Sequence, residues 1–377
     1  WKNKLQYTYK ISNNKALQFV SNYSNNTIPQ ELSIYPTIFS FGGNLQKSEF
    51  EKKYLSNKIV FLASSKKVKY VFTIGSIFEN NPFNSNLLEN NAFDLCFNSK
   101  NISESFGLNP DVLVYSGIRA EKFLANKEPE NDFKIILDAI ENIKKINPKQ
   151  IVLISTVDVY PNPISVDENT EIDIEEVQPY GKNRLYLENW VASNFDDYLI
   201  VRLPGLFGKN IKKNFIFDLI SVIPSMLNEA KYQELASHNW IVNNYTLQEN
   251  GFYKLNTIEN AERKILKQQF LDLGFSALNF TDSRGRFQFY NLSNLWNDIQ
   301  IAQNNSVKKL NLATEPIIVN EIYKAVYGKD FVNELNNPVP NYDFYTVHGQ
   351  LFKNHGNYIS TKQEVLQDIV NFIKSQR

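Results

Sequence analysis

The stretch "QIVLIST", Gln150 to Thr156, decides the fold. Its four consecutive apolar residues, Ile151 to Ile154, leave no polar face, as expected of a strand covered on both sides. The same texture recurs on either side of it, in "KYVFTIG" (69–75), "FDLCF" (93–97), "DVLVYSG" (111–117) and "YLIVRLP" (198–204). Between these runs lie helical patterns: one near 83–90, the long amphipathic "NDFKIILDAIENIKKI" (131–146), and one from about 180 to 194. Strands without a polar face, separated by helices, predict an α/β protein with a doubly wound parallel sheet. In such sheets ligands bind at the carboxyl ends of the strands, which here carry Gly75, Ser116-Gly117, Ser155-Thr156 and Pro204-Gly205. Small residues there leave room for a ligand.

Outside this core the texture changes. Residues 1–66 are rich in Asn, Lys and Tyr and alternate in "LQYTYKI", which predicts a β-rich N-terminal extension. Residues 211–377 loosen into mixed segments such as "NFIFDLISVIPSML" and "NEIYKAVYG" and predict a smaller C-terminal lobe. Forty basic residues balance forty acidic ones, so no global field favours nucleic acid or an anionic membrane, and an anionic ligand must be held locally. A single cysteine, Cys96, excludes an intramolecular disulfide framework and a cysteine-based zinc cluster. The histidines His238, His348 and His355 are too scattered for a metal site. No apolar run reaches the roughly 18 residues of a membrane span, and no basic-then-apolar leader opens the chain. Expected is a cytoplasmic protein without metal.

Three motifs fall in order: "VLISTVDVY" (152–160), "PYGKNRLYLE" (179–188) and "VRLPGLFG" (201–208). With "PDVLVYSG", "FQFYNLSNLWNDI" and "KKLNLATEPIIVNEIY", they resemble the extended short-chain dehydrogenase/reductase family of sugar-nucleotide epimerases, dehydratases and 4-keto-sugar reductases. The resemblance covers roughly 69 to 375. It implies a Rossmann-like dinucleotide-binding domain at 67–210 and a mainly substrate-binding lobe at 211–377. NADP or NAD is the implied cofactor and a nucleotide-linked sugar the implied substrate, in polysaccharide precursor synthesis. A homodimer through the helices at 131–146 and 180–194 is implied as well.

By the same resemblance Tyr180 is the proton donor, Thr156 holds the reacting sugar oxygen, and Asp158 and Pro204 stand in substrate- and cofactor-binding positions. On residues alone, Ser155 and Thr156 also suit a turn, and "QPYGKNR" also suits an ordinary helix start. A phenol ionises near pH 10, so a nearby cation that favours phenolate would ready it for proton exchange. Arg184, at i+4 from Tyr180, shares its helix face, whereas Lys182 does not. The family has lysine at this place, and arginine, wider and permanently charged, is no neutral replacement. The glycine-rich turn is also reduced: after Gly75 come Phe, Asn and Pro, with Asn81, Asn84 and Asn86 able to take left-handed conformations. A competing glycine turn is "TIFSFGGNLQKSEF" (37–50). Asn98, Ser99 and Lys100 stand where an acidic residue grips the ribose of NAD, and Lys100 points instead to NADP. Arg284 and Arg286 are candidates for gripping a diphosphate. The arginine and the eroded turn leave a second expectation open, a pseudoenzyme that binds or scaffolds without turnover.

Overall fold

The structure is a computed structural model describing residues 71–74, 93–211, 213–248, 250–352 and 356–376. The N-terminal extension, the 37–50 alternative, the helix near 83–90, the turn with Gly75, Asn81, Asn84 and Asn86, and His355 lie outside the described residues. Residues 70–377 form one compact unit.

Six strands make a wholly parallel sheet: β1 (Val71–Ile74), β2 (Leu95–Phe97), β3 (Val112–Tyr115), β4 (Gln150–Thr156), β5 (Tyr198–Leu203) and β12 (Lys309–Asn311), in the order β2-β1-β3-β4-β5-β12. Alternate side chains explain the lack of a polar face. Val112 and Val114 of β3, with Val152 of β4 and Val201 of β5, pack on one side against Leu295, Ile299 and Ala302 of α8 (Leu295–Asn304). Leu113 and Tyr115, with Ile151, Leu153 and Ile200, pack on the other against Ile136, Ile140 and Ile143 of α2 (Pro129–Ile146) and Leu187 and Val191 of α3 (Pro179–Asn194). β3, β4 and β5 are therefore buried on both faces, the arrangement that a continuous apolar run signals.

A short helix α1 (Lys122–Lys127) precedes α2. Pro129 opens α2, where its missing N–H costs nothing, and Asn147 ends it in the left-handed conformation (φ 54°). Beyond β5 come β6 (Gly205–Phe207) and α4 (Asn214–Ser221), then a three-stranded antiparallel sheet of order β7-β9-β8 from Met226–Asn228, Tyr245–Leu247 and Phe252–Leu255. Helices α5 (Glu229–Leu235), α6 (Asn239–Asn244) and α7 (Asn260–Asp272) surround it, with Phe270 in their core. The chain then forms β10 (Arg286–Phe287), antiparallel to β13 (Ile317–Ile318), and β11 (Phe289–Asn291), parallel to β6. Helices α9 (Val319–Tyr327) and α10 (Lys362–Ser375) pack with α4.

The C-terminal lobe is thus not a simple continuation from residue 211. The "NLSNLWNDI" and "KKLNL" segments, assigned from sequence to the substrate lobe, return to the main sheet as its covering helix α8 and its sixth strand β12. β12 spans only three residues, too few for an unambiguous pattern.

Candidate active site

At the carboxyl ends of β3, β4 and β5 lies a cavity of about 600 Å³. Thr156 and Tyr180 share its wall with Ser116, Arg119, Lys209 and Lys213. The helix that presents Tyr180 starts at Pro179, and the Tyr180 amide, one of the donors a helix start leaves over, is bound by Asn126 Oδ1 at 2.8 Å. Gly181 is required beside it. A Cβ there would sit 1.9 Å from the carbonyl oxygen of Asp158, so only glycine lets α3 pack this close to the end of β4.

Thr156 Oγ1 accepts the Asp158 amide at 3.2 Å, fixing the turn, and the residue lines the cavity with Tyr180. Ser155 instead donates to Glu188 Oε1 at 2.5 Å. Glu188 forks onto Arg202, with 2.6 Å from Nη2 to Oε2, and Arg202 Nη1 donates to the Tyr160 hydroxyl at 2.7 Å. Burial pushes the Tyr160 phenol up to about 12, against the pull of Arg202. Arg202, the arginine of "VRLPGLFG", is therefore a buried tie between α3 and β5.

Arg184 departs from expectation. Its guanidinium lies 3.9 Å from the centre of the Tyr180 ring, yet it forks onto Asp132 of α2, with 2.9 Å from Nη2 to Oδ1 and a shorter contact from Nη1 to Oδ2. Its other two Nη hydrogens go to the carbonyls of Arg119 (2.8 Å) and Tyr180 (3.1 Å). The positive charge is paired where it stands, and the Tyr180 phenol is raised, not lowered, from its usual value. Burial is the main cause; Arg184, Lys122 and the Thr156 hydrogen bond oppose it, and Asp158 reinforces it. At neutral pH Tyr180 is a phenol holding its proton, suited to act as an acid.

Asp158 pairs with Lys122 Nζ at 2.7 Å, and the Thr156 hydroxyl lies 3.5 Å from its Oδ2. Burial works against the Lys122 ammonium, but Asp158 and Tyr342 outweigh it and hold its pKa above the usual value. Sequence reasoning passed over Lys122, Arg119, Lys209 and Lys213, since nothing local distinguishes such cations from solvated ones. Arg119, Lys209 and Lys213 face a cavity with no carboxylate in its wall.

The other candidates stand apart. Arg284 is taken by Asp282 (2.8 Å) and Glu334 (2.9 Å), and Arg286 by Asp343 (3.1 Å), so neither reaches the cavity wall. Asn98 Oδ1 accepts the Lys100 amide at 2.8 Å, so 98–100 forms a turn after β2, with Ser99 and Lys100 exposed. Gly117 and Pro204 flank the wall without lining it. Among the described residues no group of His, Cys, Asp or Glu could hold a metal ion, and no helix is long and apolar enough to cross a membrane.

Fold and site together define a Rossmann-like α/β protein. More particularly, residues 65–248 match the model of the NAD dependent epimerase/dehydratase family. No curated protein matches the chain. Among solved structures it is similar to UDP-N-acetylglucosamine 4-epimerase from Methanobrevibacter ruminantium M1 in complex with UDP-N-acetylmuramic acid, at 13% identity over 83% of this chain and 100% of that one (TM-score 0.52). It is similar too to dTDP-4-dehydrorhamnose reductase from Bacillus anthracis str. Ames in complex with NADP, at 15% identity over 82% and 100% (TM-score 0.52). A third is RMD from Pseudomonas aeruginosa complexed with NADPH, at 10% identity over 82% and 100% (TM-score 0.52). At these identities the likeness is one of fold.

Proposed function

We propose that the protein is an NADP- or NAD-dependent oxidoreductase that reduces or epimerises a nucleotide-linked sugar at a 4-keto carbon, in cytoplasmic synthesis of polysaccharide precursors. The observation that carries this reading is that Thr156 and Tyr180 share the wall of one cavity with Arg119, Lys209 and Lys213. Cations on a wall without carboxylates suit a pyrophosphate, and the two hydroxyls suit a carbonyl or alcohol oxygen, so the donor set fits a nicotinamide dinucleotide beside a sugar. The dinucleotide, when bound, supplies the hydride chemistry. Tyr180 gives its proton to the sugar oxygen, Thr156 holds that oxygen in place, and the cations anchor the phosphates.

Fluorescence titration tests the reading: micromolar binding of NADPH or NADH is expected, weakened about tenfold or more by Lys213→Ala, since a charge-assisted hydrogen bond contributes about 1.5–3 kcal/mol. Silence with both cofactors would remove the oxidoreductase. A second reading, a subunit that binds the ligand without turnover, is favoured by the pairing of Arg184 with Asp132. A homodimer through α2 and α3 is part of the proposal, supported by Leu137 (43% exposed) and Tyr186 (44% exposed) on these helices. Sedimentation should give twice the chain mass, and a monomer at micromolar concentration would discard the dimer.

A further inference from the structure

Resting on the oxidoreductase reading, we propose that Asp132 holds the Arg184 guanidinium against the Tyr180 ring and cancels its charge there, which fits the site to reduce a keto-sugar nucleotide rather than to take a proton from a sugar hydroxyl. The three groups touch in sequence. Arg184 lies 3.9 Å from the centre of the Tyr180 ring, its Nη2 donates to Asp132 Oδ1 at 2.9 Å, and its Nη1 reaches Asp132 Oδ2 while also donating to the Tyr180 carbonyl at 3.1 Å. Asn183 Nδ2 adds a third donor to the Asp132 carboxylate at 2.8 Å, and the place of Asp132 in the first turn of α2 suits a negative charge. Tyr180, Arg184 and Asp132 are 7%, 4% and 7% exposed, so water and salt screen them little.

An unpaired cation against a phenol favours the phenolate, the form that removes a proton, whereas a cation forked onto a carboxylate exerts little net field. Arginine cannot shed its charge, so only a fixed anion can offset it. The other charged groups facing Tyr180 are Asp158 after β4 and Lys122 on α1, paired with each other at 2.7 Å, while Arg119, Lys209 and Lys213 share its cavity wall. Burial then raises the phenol above its ordinary value, and Tyr180 starts each cycle with its proton. The step balances. The carbonyl carbon gains a hydride from the reduced dinucleotide, which is thereby oxidised, the electron pair of the C=O double bond moves to the oxygen, and that oxygen takes the Tyr180 proton. Solvent reprotonates the phenolate. Asp132 is a positioning residue, acting through Arg184.

The test has two arms. In the first, the tyrosine ring carbons are labelled with ¹³C, the Tyr180 signal is assigned with Tyr180→Phe, and its titration is followed in the protein without cofactor. Wild-type Tyr180 should titrate well above neutral pH, and Asp132→Asn should bring the titration down by about one pH unit. Asp132→Asn combined with Arg184→Gln should return it to the wild-type position, because the two charges removed together carry no net field. In the second arm, reduction of a keto-sugar nucleotide by NADPH is followed against pH. The wild-type rate should hold through neutral pH and fall in the alkaline range, and the fall should come at lower pH in Asp132→Asn. A merely structural Asp132 would lower the rate without moving the profile. An unmoved titration in folded Asp132→Asn, a double variant that titrates away from wild type, or epimerisation of a sugar nucleotide without net reduction overturns the inference alone. Should Asp132→Asn not fold, a wild-type Tyr180 that titrates at or below neutral pH still overturns it. A wild-type protein that neither binds NADPH nor turns over overturns the oxidoreductase reading, and the inference falls with it.

Discussion

Glu188→Gln is expected to cost about 3–5 kcal/mol of folding stability, the usual penalty for leaving one member of a buried ion pair uncompensated. Glu188 and Arg202 are each 1% exposed, and the carboxylate receives three guanidinium hydrogen bonds at 2.6–3.1 Å as well as the Ser155 hydroxyl. Glutamine keeps the shape but removes the charge and turns an acceptor into a donor facing donors. The loss propagates along the Tyr160 hydroxyl, which also receives Asn311 Nδ2 at 3.0 Å and donates to the Asp167 carbonyl at 2.6 Å. By contrast, breaking the exposed Lys144–Glu141 pair on α2 should leave the unfolding midpoint almost unmoved. Urea unfolding followed by circular dichroism reads the difference as a lowered midpoint at constant slope. An unchanged midpoint would show that the pair does not tie α3 to β5.

Tyr180→Phe should lower turnover by about 10²–10⁴-fold, the range for removing a positioned proton donor, while leaving NADPH affinity near that of wild type. The ring stays in place to stack under Arg184, and only the hydroxyl is lost. A steady-state assay with parallel fluorescence titration separates the two quantities. Full turnover in the variant would exclude Tyr180 as the donor.

The sheet was legible because its central strands are buried on both faces. β3, β4 and β5 each carry an uninterrupted apolar run, and such runs separated by helical patterns have few other interpretations. β6, β11 and β12 span three residues each and carry no periodicity to read, so the return of the chain to the sheet through α8 was hidden. In the site, Thr156 and Tyr180 were found from motif order and do share one cavity wall. What Arg184 does was not legible, because its partner Asp132 lies 52 positions away and nothing near either residue marks the pairing. Arg284 had a visible warning in the acid two residues before it, Asp282, whereas Glu334 is 50 positions distant. Electrostatic roles set by long-range neighbours are where reading a chain one window at a time fails.

The parallel pairing of β6 with β11, Gly205 against Phe289 and Phe207 against Asn291, has an evolutionary reading. Everything from residue 208 to 288 departs and comes home one strand spacing apart, about 4.8 Å. Such a stretch behaves as an exchangeable cassette: it can be lengthened, trimmed or traded without re-threading the six strands beneath it. Lys209 and Lys213 sit at its threshold while Thr156 and Tyr180 stay on the permanent frame. Exchange of this stretch therefore leaves Thr156 on β4 and Tyr180 on α3 where they stand.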